Sequence, residues 1–153
     1  MNRRSYLALG ITTGVSGCLG FFDQEVYLGG LRLENTGETN QHVDIRVQKG
    51  GERVHEATVD ISGMDMEGDE NVLSTEFVEC TWPNDEPGKF EIAARLTGDD
   101  SWVETTADDA EGDDSCQMVF LRIEETGTLW FNWDDCERYE AENPDTVCDY
   151  GTE

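Results

Sequence analysis

Alternation with a period of two runs through this chain, and no helical period of useful length replaces it, which restricts the fold to β-structure. Val43, Ile45 and Val47 alternate with Asp44, Arg46 and Gln48, as in a strand with one face buried and the other wet. Ala57, Val59 and Ile61 repeat the pattern after Gly50-Gly51, two residues that tolerate the positive φ of a tight hairpin. Phe90, Ile92, Ala94 and Leu96 alternate again, with Glu91 and Arg95 towards water. In the first strand the apolar parity of Val26 and Leu28 switches to that of Leu31 and Leu33 across Gly29-Gly30, which predicts a bulge there.

The remaining strands follow from turn signals. Asn35-Thr36-Gly37, Thr97-Gly98-Asp99-Asp100 and Glu125-Thr126-Gly127 each reverse the chain. Residues 72–80 form a strand with less regular alternation, and Pro83 and Pro87 forbid regular pairing over 81–88. Residues 102–105 make a further strand. Residues 118–123 are apolar on both faces except Arg122 and predict a central strand, with the last strand at 129–133. Residues 62–71 and 107–114 are acidic loops, and the tail accommodates at most one short helical turn before Pro144. Seven to eight short strands at this spacing predict an all-β fold, an antiparallel β-sandwich of immunoglobulin-like type.

The N-terminus carries a different message. Arg3 and Arg4 precede an apolar run from Tyr6 to Val15, and the small residues Ser16 and Gly17 lead into Cys18. A positive segment, a short apolar segment and a small-residue cleavage site occur in the order of an export signal. The run is too short to span a bilayer. Arg3-Arg4-Ser5-Tyr6-Leu7 resembles the twin-arginine (Tat) export signal, and Val15-Ser16-Gly17-Cys18 resembles a lipobox. The resemblance implies cleavage before Cys18 and lipidation of its thiol, with two-chain lipid giving stable anchoring. The expected organisation is a signal peptide over 1–17, lipidated Cys18 and tether over 18–25, the sandwich over 26–134 and an acidic, disulfide-closed tail over 135–153.

Charge narrows the partners. The chain has 10 Lys and Arg against 35 Asp and Glu, a net charge of −25. Without the two signal arginines, 8 bases face 35 acids and the net becomes −27. Such an excess excludes a nucleic-acid surface and gives no attraction to anionic lipid headgroups, so membrane attachment rests on the lipid of Cys18. The acids are interleaved with Val, Ile, Leu and Trp, which argues for a folded domain with an acidic skin rather than for disorder. Acid-rich, lysine-poor composition with a twin-arginine lipoprotein signal resembles the small exported lipoproteins of haloarchaea. In molar salt the Debye length falls to about 3 Å and the acidic repulsion is screened. Pro87-Gly88-Lys89-Phe90-Glu91-Ile92 and Leu31-x-Leu33-x-Asn35-Thr36-Gly37 resemble strand-and-turn patterns of extracellular Ig-like and CARDB-like domains. This implies a sandwich and says nothing of a ligand. The implied location is the outer face of the cell membrane.

Five cysteines are present, and lipidation of Cys18 leaves Cys80, Cys116, Cys136 and Cys148, an even number suited to an oxidising compartment. Four cysteines allow three connectivities. The expected one is Cys80–Cys116 across the sheets and Cys136–Cys148 within the tail, the latter two being near in sequence. A zinc site is disfavoured because no close cysteine pair occurs and neither histidine lies near a cysteine. A blue-copper site fails because His42 and His55 both lie early and no histidine follows Cys116.

The hard-cation candidate is the stretch with Asp65, Glu67, Asp69 and Glu76, whose acids fall at positions 1, 3, 5 and 12 of a loop, without the glycine at position 6 and flanking helices of an EF-hand. The run with Asp108, Asp109, Glu111, Asp113 and Asp114 is similar. In a chain this acidic both read first as solvated loops, and the alternative is a calcium-dependent binding module using 65–76 and 108–114 with weak Ca2+ affinity. No nucleophile–base pair and no phosphate-cradling glycine loop is present, so no catalytic residues, no enzyme activity and no resident cofactor are expected. Trp82, Trp102, Trp130 and Trp133 either pack the sandwich or offer a platform to a glycan or a surface protein, and parity puts Trp130 and Trp133 on opposite faces. The expected function is a non-catalytic binding or structural module at the surface of a cell living in high salt.

Overall fold

The computed structural model describes residues 24–67, 70–110, 115–143 and 146–151. Among the described residues ten strands are formed, β1 (Tyr27–Asn35), β2 (Gln41–Lys49), β3 (Glu52–Ile61), β4 (Asp65–Glu67), β5 (Glu70–Val72), β6 (Ser74–Phe77), β7 (Phe90–Leu96), β8 (Val103–Thr106), β9 (Cys116–Ile123) and β10 (Leu129–Asp135), followed by a short helix α1 (Cys136–Glu142). Eight of them make two four-stranded sheets, in the orders β10-β9-β1-β6 and β3-β2-β7-β8, and β4 and β5 form a separate small hairpin. This is the all-β, immunoglobulin-like sandwich expected from the alternation. Every ladder is antiparallel except β1 with β9, which run parallel. The chain crosses repeatedly between the sheets, and after β8 it returns to the first sheet beside β1 in the same direction.

The inward residues are the apolar members of each alternation. Leu28, Leu31, Leu33, Val119, Leu121 and Ile123 from the first sheet meet Val43, Ile45, Val47, Phe90, Ile92 and Ala94 from the second, all without solvent exposure. A register shift between Leu28 and Gly30 along β9 places the bulge where the parity change predicted it. Gly50 and Gly51 have φ of 60° and 83°, the left-handed values that a two-residue hairpin turn requires. Asn35 is buried and satisfied: its Nδ2 donates to Thr39 O at 2.8 Å and Ser62 O at 3.0 Å, and its Oδ1 accepts from Gly37 N.

Three expectations are corrected. Residues 62–71 are not simply a loop, because Asp65–Glu67 pairs with Glu70–Val72 as a hairpin. The tail is not closed on itself. Cys80 pairs with Cys148 and Cys116 with Cys136, in place of Cys80–Cys116 and Cys136–Cys148. The reason is ladder register: β10 runs antiparallel to β9 with Asp135 opposite Gln117, so the next step brings Cys136 opposite Cys116. Cys148 is carried back across Gly29, whose carbonyl accepts from Cys148 N at 2.7 Å. The tail is therefore stitched to the sandwich at two places.

Candidate functional site

The outer face of the first sheet follows from its register. Outward residues align in rows across the strands, and two of these rows span all four. One row runs Trp130, Arg122, Glu34, Thr75 and the other Asn132, Phe120, Arg32, Phe77. A third, shorter row of Asp134, Met118 and Gly30 lies under α1. The helix covers only part of this face. Tyr139 stacks edge-on against Phe120 at 5.4 Å, and with Met118 and the Cys116–Cys136 disulfide it forms a second small core. The first row is left open, and the helix becomes the wall of a cleft of about 270 Å³.

Side chains on the cleft floor are locked to one another. Glu34, which is 12% exposed, accepts from Arg122 Nη2 at 3.0 Å and Nε at 3.3 Å. Arg32 Nη1 donates to the Tyr139 hydroxyl at 3.2 Å, while its Nε lies buried at 3.7 Å from Glu34, too far for a hydrogen bond. Arg122 lies over the Trp130 ring at 4.8 Å, and Trp130 Nε1 donates to Glu124 Oε1 at 3.1 Å. Trp130 remains 37% exposed, whereas Trp133 is 8% exposed and donates Nε1 to Thr105 Oγ1 at 2.8 Å. The two tryptophans thus occupy opposite faces, as parity predicted. On the far side of β10 a second hollow of about 230 Å³ opens, and Trp130 and Asn132 line both. The ridge of β10 therefore separates two adjoining clefts.

The other two tryptophans line neither of these hollows. Trp82 is buried and donates Nε1 to Leu28 O at 3.0 Å. Trp102 lies between Arg46 at 3.9 Å and Arg95 at 4.4 Å on the outer face of the second sheet. Beside it, Asp44 accepts from Thr58, Arg95 and Thr97, and these hydrogen bonds hold its carboxyl below the usual carboxylate range.

The residues singled out from sequence fall in different places. Arg3, Arg4, Val15, Ser16, Gly17 and Cys18 lie outside the described residues, as do Asp69 and 111–114. Asp65 and Glu67 belong to β4, while Glu76 is exposed on β6 opposite Leu33, on a ladder rather than in a loop. Asp109 accepts from the Thr105 hydroxyl at 2.7 Å and from Thr106 N at 3.2 Å, ending a 3-10 turn, and Asp108 accepts from Gln24 N at 3.0 Å. Among the described residues no group of three His, Cys, Asp or Glu is gathered as metal ligands would be. His42 Nδ1 pairs with Asp60 on the surface. His55 Nδ1 pairs with Thr81 Oγ1, and burial lowers the His55 pKa against the opposing pull of Glu79.

The cleft was not visible from sequence. Arg32, Glu34, Asn132 and Tyr139 become neighbours only through the parallel β1–β9 pairing and the return of α1. The one local signal was Trp130 at an outward position.

No family model matches this chain, and no curated protein matches it. Among solved structures, one described as the crystal structure of a Gram-negative toxin is similar over 72% of this chain and 23% of that one, at 12% identity with a TM-score of 0.27. Another, described as a trapped toxin, is similar over 70% of this chain and 23% of that one, at 10% identity with a TM-score of 0.23. This chain spans less than a quarter of either, and superpositions this loose carry no argument about function.

Proposed function

We propose that this protein is a lipid-anchored, non-catalytic binding module on the outer face of the cell membrane, exported through the twin-arginine route and adapted to high salt. The observation that carries the reading is the cysteine inventory. Cys80–Cys148 and Cys116–Cys136 use four of the five cysteines, which leaves Cys18 of the lipobox-like segment as the one thiol for lipid. Two disulfides suit an oxidising compartment, and a fifth cysteine outside both of them, beside Ser16-Gly17, suits lipidation. The open cleft on the first sheet supports binding rather than a purely mechanical role.

The test is made in a halophilic host. The native chain is expected in the membrane fraction and sensitive to external protease. Cys18→Ala is expected in the medium, and the Arg3→Lys/Arg4→Lys variant is expected to stay inside, unprocessed. Membrane retention of Cys18→Ala at the native level, or export of the double-lysine variant at the native level, contradicts the proposal.

A further inference from the structure

We infer that the paired hollows along β10 bind the neutral sugar rings of a glycan, with the Trp130 indole as the stacking platform. This rests on the reading of the protein as a surface binding module and names the chemistry of its ligand. The indole is exposed yet held, because Arg122 backs one face of the ring and Glu124 fixes its N–H. A large apolar surface with two torsions already set loses little freedom on binding, which suits it to the C–H face of a pyranose.

The surrounding polar groups have the matching form. Arg32, Arg122 and Glu34 are planar, two-pronged groups, and Asn132 adds an exposed amide that offers a donor and an acceptor side by side. Vicinal hydroxyls, each both donor and acceptor, are satisfied by such pairs. Arg32 Nε is a buried donor with no hydrogen-bond partner at the floor of the cleft.

Other ligand classes fit less well. An anion would have to displace Glu34, which already accepts two bonds from Arg122, and would enter the field of a chain with net charge −25. A cation would meet the guanidinium groups of Arg32 and Arg122, and among the carboxylates of the cleft Glu34 is already held by Arg122 while Asp134 lies 3.7 Å from Arg138. A purely apolar ligand would strip water from charged groups without replacing their hydrogen bonds. A ring with an apolar face and a polar rim avoids all three costs. At about 270 Å³ and about 230 Å³, each hollow lies below the roughly 300–1,000 Å³ of sites for drug-sized ligands, so each suits about one ring. The shared ridge of Trp130 and Asn132 lets a short oligosaccharide occupy both.

The experiment uses the full purified chain in molar salt. Maltohexaose, cellohexaose and mannohexaose are the neutral probes, and hexagalacturonate and an uncharged decapeptide are the controls, read by saturation-transfer NMR and calorimetry. At least one neutral hexaose is expected to bind in preference to both controls. Trp130→Ala is expected to weaken it by about tenfold and Asn132→Ala severalfold, while Trp102→Ala, on the opposite sheet, leaves it unchanged. The inference is overturned if no neutral hexaose binds, if hexagalacturonate or the peptide binds more tightly, or if both Trp130→Ala and Asn132→Ala, folded by circular dichroism, bind as the native chain does. Membrane release of Cys18→Ala is read separately. Its success together with absent sugar binding removes only the glycan inference, and its failure removes the anchored-module reading.

Discussion

Gly29 is the position where one methyl group tests the packing of the whole stitched end of the molecule. A Cβ built there would overlap Cys136 Sγ and stand 2.7 Å from Cys116 Sγ and 3.2 Å from Val147 Cγ1. Carbon contacts are most favourable at about 3.5–4.0 Å, so the Cys116 sulfur alone must retreat by about 0.8 Å. Neither sulfur can do so alone, since each is bonded to the other and their backbones belong to β9 and the start of α1. Overpacking a rigid core costs about 1–3 kcal/mol, and the upper end applies here. The disulfide closes a sequence separation of 20, for which chain entropy assigns about 3 kcal/mol to the bond. The two effects are coupled. In a Cys116→Ala/Cys136→Ala background the sulfurs are gone, and Gly29→Ala is expected to cost less than about 1 kcal/mol, because alanine also restricts the unfolded chain. A double-mutant cycle by urea unfolding in molar KCl is therefore expected to give a coupling of about 2 kcal/mol. Equal costs of Gly29→Ala in the two backgrounds, or a cost under about 0.5 kcal/mol in the oxidised native chain, would refute the packing described.

Three further outcomes are expected. His55 has its pKa lowered by burial, so its contribution to stability is complete above the ordinary value of 6.5 and is lost as pH falls through the folded value. Urea midpoints should therefore drop below pH 6.5 in the native chain and drop less in His55→Gln. Glu91 has its pKa raised by burial and by the nearby carboxylate of Glu104, so its contribution is complete below 4.5 and is lost as pH rises through the folded value. Glu91→Gln should accordingly stabilise at pH 7 and be neutral at pH 4, as read from the same midpoints. Asn35→Ala strips partners from the Thr39 and Ser62 carbonyls and from the Gly37 N–H, and calorimetry should show a loss of about 2–3 kcal/mol.

Local pattern revealed the strands wherever one face is wet. The alternations of β2 and β7, the hairpin at Gly50-Gly51 and the bulge at Gly29-Gly30 each depend on neighbours a few residues away, and all lie where the sequence puts them. The both-faced apolarity of β9 marked it as central, and its cause is now specific: Cys116, Met118 and Phe120 are outward residues covered by α1, and the charged Arg122 comes where that cover ends. Residues 62–71 hid a hairpin because its strands are three residues each and acidic, too short for alternation to register. The disulfide pairing failed for a different reason. Nearness in sequence favours Cys136–Cys148, whereas the register of the β9–β10 ladder, a property of the paired strands, places Cys136 opposite Cys116. The cleft was illegible because it needs β1 beside β9 in parallel, a contact between segments some 90 residues apart that no local pattern encodes.

The decisive measurement is the mass of the intact protein taken from native membranes, followed by non-reducing peptide mapping. The expected result is a chain starting at a lipid-modified Cys18, no free thiol before reduction and four after it, with peptides joined as Cys80–Cys148 and Cys116–Cys136. An unprocessed chain beginning at Met1 with five free thiols would contradict it, removing both the exported location and the stitched sandwich on which the cleft is built.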